Sequence, residues 1–279
     1  MNFKLYREHG ALNSPPVFDA VEKGLRRIGQ NIVSHNEDIP VIWSVLFSGR
    51  MQRNRQIYFD AISNNKPVLI VEVGNLQRNG YWRLSFNNIN RDGEFANDSD
   101  LDPDRPKKLG IDLKPLKNNR QSHVLITGQH EKSLQWKGMP PMSKWIEDTI
   151  VQVRKYTNRE VKIRPHPRCP VNLTKSYKNV SVERPKQIKG TYDSFDITYD
   201  CHCVINFNSG CAVQAAIEGT PVITDCSSLA YPVSDKIKNI NEIHLPDRTD
   251  WLTKLSHSEW TVDEISSGLP FLRLLKVLN

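Results

Sequence analysis

The sequence predicts an α/β protein built from two successive units, each a parallel sheet covered by helices. Three observations carry that expectation. Short, almost wholly apolar runs alternate with amphipathic stretches across short turns. The alternation stops over residues 74–122 and restarts at 123. In the second half, the apolar runs end in small polar residues, as the ligand-binding carboxyl ends of parallel strands do. The 279 residues are enough for two domains of ordinary size, drawn here as 1–120 and 121–260, with 261–279 as a C-terminal helix able to pack back on the first domain.

In the first unit, FKLYRE (3–8) reads as a short strand. SPPVFDAVEKGLRRIGQNI (14–32) reads as a helix: Ser14 stands at the cap, prolines follow, and Val17, Val21, Leu25 and Ile28 recur at helical spacing. PVIWSVLF (40–47) is apolar throughout, as a strand buried on both faces should be. Helix RQIYFDAIS (55–63), an NNKP turn and strand VLIVEV (68–73) complete the unit. Residues 74–122 are rich in Asn, Asp, Gly and Arg, and read as a long functional loop leading to the domain boundary.

The second unit opens with strand HVLITG (123–128) and helix SKWIEDTIVQVRKYT (143–157), with Ser143 as its start signal. Strands follow at VKIRPHP (161–167) and NVSVE (179–183), then the buried strand CHCVINF (201–207). Helix CAVQAAIEG (211–219) closes on Gly219, and PVIT (221–224) is the last strand before one or two C-terminal helices.

Bulk properties narrow the function. No run of 18 apolar residues predicts a membrane span, and the N-terminus lacks the apolar core of a signal peptide. Five cysteines, an odd number, suit free thiols in a reducing cytoplasm. A net charge of +7 mildly favours anionic ligands. Cys201-His202-Cys203 alternates along a buried strand, so its thiols and imidazole face opposite ways, unlike a zinc knuckle. There is no G-x-G-x-x-G, no P-loop and no G-x-S-x-G elbow, so the signatures of dinucleotide-binding, P-loop and serine-hydrolase proteins are missing.

The strand ends of the second unit carry the chemistry. One ends in Gly128-Gln129, one in Arg164-Pro165-His166-Pro167, one in Asn208-Ser209-Gly210 and one in Asp225, with Ser227 close behind. Proline has no N–H and restricts its predecessor, so His166 is held stiffly at a strand end near a cation. Ser209 and Gly210 open a helix, where free N–H groups and the helix dipole attract anions.

These residues resemble the nucleotide-sugar glycosyltransferases of the GT-B architecture. The Arg-Pro-His-Pro strand end and N-S-G-x-x-x-x-A-x-x-x-G-x-P-V-I are similar to the motifs with which capsule Kdo transferases and sialyltransferases grip donor phosphates. The stretch from VLIVEVG through GYWRLSFNNINRDGEF and LGIDLKPLK to VLITGQ also resembles a phage-encoded glycosyltransferase-like group, some members of which modify hydroxymethylated pyrimidines in DNA. The resemblance covers about residues 40–235. It departs where retaining enzymes carry Glu and this chain has Gln214, and in lacking the acidic base motif of sialyltransferases.

The resemblance implies two Rossmann-like domains facing across a cleft and a nucleotide-sugar co-substrate, UDP-glucose or similar, used without an obligatory metal. It makes Gly128, Gln129, Arg164, His166, Pro167, Asn208, Ser209, Gly210, Asp225 and Ser227 the donor site. The acceptor hydroxyl needs a general base, with Glu72, Asp92 and Glu94 as candidates. Duplex DNA is the expected acceptor and partner of a cytoplasmic monomer, held by His9, Arg50, Arg53 and Arg55, with Tyr81 and Trp82 stacking on an extruded base. The alternatives are a glycosyltransferase of surface polysaccharide assembly and a non-catalytic nucleotide-sugar-binding module.

Overall fold

The computed structural model describes residues 1–117, 122–191, 194–244 and 246–278. The chain divides into two compact units. The first comprises Met1–Leu109, Lys132–Gln135 and Thr253–Asn279, and the second Gly110–Glu131 and Trp136–Leu252.

The first unit contains β1 (Asn2–Leu5), α1 (Pro15–Arg27), β2 (Asn31–Ile32), β3 (Ile39–Trp43), α2 (Asn54–Ser63), β4 (Leu69–Val73), β5 (Trp82–Phe86) and the single turn α3 (Arg105–Lys108). In the second lie β6 (Val124–Thr127), α4 (Met142–Arg154), β7 (Val161–Arg164), β8 (Val180–Val182), β9 (Cys203–Asn206), α5 (Gly210–Ile217) and β10 (Val222–Thr224). Helix α6 (Thr249–Ser256) carries the chain back to the first unit, which ends with β11 (Glu259–Trp260), α7 (Val262–Ser267) and α8 (Leu269–Leu274). Among the described residues no helix is long and apolar enough to cross a membrane.

The first sheet has the order β11-β5-β4-β3-β1-β2. Its β2-β1-β3-β4 part is parallel, while β5 and β11 form antiparallel pairs. This corrects the reading of 74–122 as loop. WRLSF is buried along its whole length: β4 pairs with all five residues, β11 pairs with Trp82 and Arg83, and Trp82, Leu84 and Phe86 pack in the core, while the polar residues around it hid the strand. Odd residues of β3 and β4, such as Val41, Trp43 and Val71, face one core with Phe18, Trp82, Trp260 and Phe271. Ile42 and Ile70 face the other, with Tyr58 and Ala61 of α2. Trp43 meets Phe18 at 5.9 Å and Trp82 at 5.3 Å between ring centroids. Each such contact adds about 0.5–1.5 kcal/mol to burial.

The second sheet, β10-β9-β6-β7-β8, is wholly parallel. Val124, Ile126, Val161 and Ile163 pack on Ile146, Ile150 and Val153 of α4. Helix α4 begins at Met142 rather than Ser143, and the Glu131 carboxylate accepts the Met142 N–H. Gly219 ends α5 at φ +80°, where a Cβ would meet the Pro115 carbonyl oxygen at 2.0 Å.

Candidate functional site

In a doubly wound sheet the ligand crevice opens where the strand order reverses. In the second unit that point lies between β6 and β9, both of which run on into the polar residues singled out above.

Asn206, 1% exposed in an otherwise apolar strand, organises this edge. Its Nδ2 donates to Thr127 Oγ1 at 2.7 Å and to Ser209 Oγ at 2.8 Å, and its Oδ1 accepts the Ser209 N–H at 2.7 Å. Ser209 stands at the N-cap of α5, yet its side chain makes no capping hydrogen bond. Its hydroxyl is therefore positioned by Asn206 at the helix N-terminus, where the dipole is positive. At the other end of α5, Arg248 donates to the Ala216 carbonyl at 2.6 Å, which suits the negative end of the dipole.

A second chain of bonds crosses the same point. Gln129 Oε1 accepts the Asn208 N–H at 3.2 Å, Asn208 Nδ2 donates to Ser227 Oγ at 2.9 Å, and Ser227 Oγ donates to Asp225 Oδ1 at 2.6 Å. Asn208 is 6% exposed and its Oδ1 has no hydrogen-bond partner among the described residues. Asp225 is thus engaged by Ser227, whose N–H it also accepts at 2.9 Å.

The β7 end joins this rim. Arg164 forms an ion pair with Asp196 at 3.2 Å. Asp196 lies below the usual carboxylate range, first because it accepts the Lys186 N–H and then because of Arg164. His166 Nδ1 accepts the Arg168 N–H at 3.1 Å, so the neutral ring carries its proton on Nε2. The ring meets His130 edge-on at 5.3 Å. Pro167 is exposed, and the His166 carbonyl accepts the Cys169 N–H in the turn that ends the strand. Gly128 continues the ladder by donating to the Arg164 carbonyl. All the donor-site residues named from sequence therefore lie at the carboxyl edge of one sheet.

Beneath them Tyr199 donates to Gln214 Oε1 at 2.8 Å. Burial raises the Tyr199 hydroxyl far above its ordinary range, so it remains a proton donor. Burial likewise raises the Cys211 thiol, against the pull of the Ser209 and Tyr199 hydroxyls and Arg164. Cys201 is pushed up to about 12 by burial, and His202 sits against the Ile240 carbonyl.

In the first unit the order β2-β1-β3-β4 reverses between β1 and β3. Asn54, fully buried, ties this point together: its Nδ2 donates to the Trp43 carbonyl at 2.6 Å and to that of His9 at 3.2 Å. Arg50, Arg53 and Arg55 are exposed beside it, on the turn Gly49–Arg53 and the start of α2, and Arg55 lies over the Phe59 ring at 5.9 Å. Next along the sheet, Glu72 is half-buried. Its Oε2 accepts the Ser44 hydroxyl at 2.6 Å and its Oε1 the Val73 N–H at 2.8 Å.

Asp92 and Glu94 do not join Glu72. Strand β5 runs back along β4, so Phe86 pairs with Leu69 at the amino end of β4. Glu94 bridges Phe86 at that same level, and Asp92 is exposed on the preceding turn. Glu72 lies three residues further along β4, roughly 10 Å away at the strand rise. The antiparallel turn separates what looked like one acidic loop.

Tyr81 and Trp82 also need correction. They are 7% and 4% exposed, Tyr81 donates to the Leu109 carbonyl at 2.6 Å, and Trp82 packs on Trp43. Rings sealed in a core cannot stack on a base.

Several supporting residues escaped the sequence reading. Glu259, fully buried, accepts the N–H groups of Asn75 at 2.6 Å and Leu76 at 2.8 Å and lies 3.4 Å from Arg83 Nε. A Cβ on Gly74 would come within 2.6 Å of the Tyr81 carbonyl oxygen as well as of Glu259 Oε2, so the turn after β4 requires glycine. Arg105 binds Glu264 at 2.6 Å and stacks 4.3 Å from the Trp260 ring centroid. The polar Asn206 inside CVIN was a visible signal, whereas nothing local marks Glu259, 184 residues from its partner Asn75. Among the described residues no group of three or more His, Cys, Asp and Glu side chains is arranged to hold a metal ion.

No known family profile matches the chain, and no curated protein sequence does. Solved structures do. The chain is similar to Thermosulfurimonas dismutans KpsC, beta Kdo 2,4 transferase, with a TM-score of 0.54 and 12% identity, covering 97% of this chain and 98% of that one. It is similar to Thermosulfurimonas dismutans KpsC, beta Kdo 2,7 transferase, with a TM-score of 0.53 and 13% identity, covering 98% of this chain and 99% of that one. The fold is therefore the GT-B-type α/β architecture, two Rossmann-like units each with its own sheet. The expectation of a duplex-DNA partner is overturned: both solved structures are named for Kdo transfer, and the ring pair assigned to a flipped base is buried.

Proposed function

We propose that this protein is a nucleotide-sugar glycosyltransferase with a carbohydrate acceptor, of the kind used in surface polysaccharide assembly. The observation that carries the proposal is the Asn206–Ser209 exchange at the strand-order reversal of the second unit, which fixes a hydroxyl and a helix N-terminus at one edge. Arg164 and His166 add cationic and N–H donor character beside it. The Kdo transfer named for the two structural relatives supports a glycan as acceptor.

In this reading the acceptor hydroxyl oxygen bonds to the anomeric carbon of the donor sugar. The bond from that carbon to the phosphate oxygen breaks, and the nucleotide leaves with the electron pair. Ser209, the α5 N-terminus and Arg164 stabilise the charge growing on the phosphate. Glu72 takes the proton released by the acceptor.

A thermal-shift panel of UDP-, GDP-, ADP-, dTDP- and CMP-sugars tests the donor site. A specific donor at 100 times its Kd raises stability by about 2.7 kcal/mol. Release of free nucleotide, measured with and without oligosaccharide acceptors, then separates a transferase from a binding module. Binding without release under any acceptor condition defeats the enzyme reading, and no shift with any donor defeats the site.

A further inference from the structure

Ser44 follows β3 directly, is 4% exposed and has φ +62°. Among the described residues the other non-glycine positions with positive φ are Asn, Asp or Ala, all exposed or half-buried. A buried serine in the left-handed region, at the end of a core strand, is strain that its surroundings must hold in place. The Ser44 N–H still donates to the Val71 carbonyl at 2.8 Å, so the residue remains on the ladder, level with Glu72.

We propose that Ser44 is a positioning residue that holds the Glu72 carboxylate in its working orientation. The proposal rests on the reading of Glu72 as the group that takes the acceptor proton. The Ser44 hydroxyl accepts the Leu46 N–H at 3.0 Å, which fixes the direction of its own proton, and donates that proton to Glu72 Oε2 at 2.6 Å. Glu72 Oε1 is held in turn by the Val73 N–H at 2.8 Å. One donor on each oxygen stops the rotation of a side chain that would otherwise sample many rotamers, and each oxygen keeps a further lone pair for an incoming hydroxyl. A general base acts only within hydrogen-bond reach of its proton, so this restraint is part of its efficiency.

Ser44→Gly is the informative variant, because glycine accepts φ +62° while removing the hydroxyl. Ser44→Ala removes the hydroxyl and keeps the strain. Crystal structures of both variants, thermal melts and nucleotide release from the UDP-, GDP-, ADP-, dTDP- and CMP-sugar panel form the test. The expected result is a Ser44→Gly protein that melts at or above the wild-type temperature, with the Glu72 carboxylate displaced. Its kcat falls about tenfold, with the KM for the donor unchanged. The proposal is overturned if Glu72 keeps its wild-type rotamer in both variants, or if kcat falls only where the melting temperature falls. Full turnover by Glu72→Gln would instead defeat the base reading, leaving the displacement of Glu72 to be judged separately in the crystal structures.

Discussion

The two units carry polar residues at the carboxyl ends of their strands in different ways. In the second, one contiguous stretch, Asn206–Gly210, supplies the strand end, the Asn206–Ser209 bonds and the helix start, and Thr127 and Gln129 join it from 79 positions away. In the first, the corresponding edge is assembled from residues far apart: Ser44 and Glu72 are 28 positions apart, and the turn after β4 is fixed by Glu259, 184 positions from Asn75. The second edge has a local motif at its centre; the first has none and is a product of tertiary contacts. A helix N-terminus provides N–H groups wherever a strand runs into a helix. A carboxylate near a sheet edge has no comparable local source of donors and must recruit them from neighbouring strands.

The largest effect separating the edges is expected from Glu72→Gln, which should lower transfer by roughly 10²–10⁴-fold while leaving donor binding by thermal shift intact. Donor binding lost together with transfer would erase the division of labour between the edges. Next, Glu259→Ala leaves Arg83 buried without its acid and frees two backbone N–H groups, so a loss of about 3–5 kcal/mol is expected in denaturant melts. A surface-like loss of a few tenths would show that the turn after β4 does not depend on this contact. In the second unit Arg164→Ala and His166→Ala, made separately, should each weaken donor binding by about 1.5–3 kcal/mol, measured by calorimetry, with melting nearly unchanged. If both leave affinity unchanged, the Arg-Pro-His-Pro corner is only a strand end.

The smallest effect compares the buried His257 of the first unit with the half-buried His123 of the second. His257 Nε2 accepts the Asp102 N–H at 3.1 Å, so its Nδ1 donates to the Thr253 carbonyl at 2.8 Å and the ring is neutral. Burial lowers the pKa of His257, and burial followed by the Lys162 charge lowers that of His123. Between the lowered folded value and the ordinary one near 6.5, the unfolded chain binds the extra proton, so stability falls as pH falls. Above about pH 6.5 the contribution is fully present. Melts from pH 8 to 5 should flatten in part with His257→Gln and in part with His123→Gln. Unchanged slopes would show that neither ring is held neutral by the fold.

The sequence by itself determined the class of the fold. Apolar runs such as VLIVEV and CHCVINF, set between helices with a 3.6-residue repeat, suit little but a parallel sheet covered on both faces. It also determined the centre of the second unit's rim, because strand end, cap and helix start are neighbours in the chain, whereas sheet pairing brings the other strand ends beside it. The tertiary structure decided the rest of the first unit. WRLSF shows only that Trp and Phe are apolar; pairing with β4 and β11 makes it a core strand and buries Tyr81 and Trp82. Glu72, Asp92 and Glu94 read alike as acids, and an antiparallel reversal sends the last two to the other end of the sheet. Burial and pairing depend on which distant segment covers a residue, and for Glu259 and Ser44 no local pattern encodes that cover.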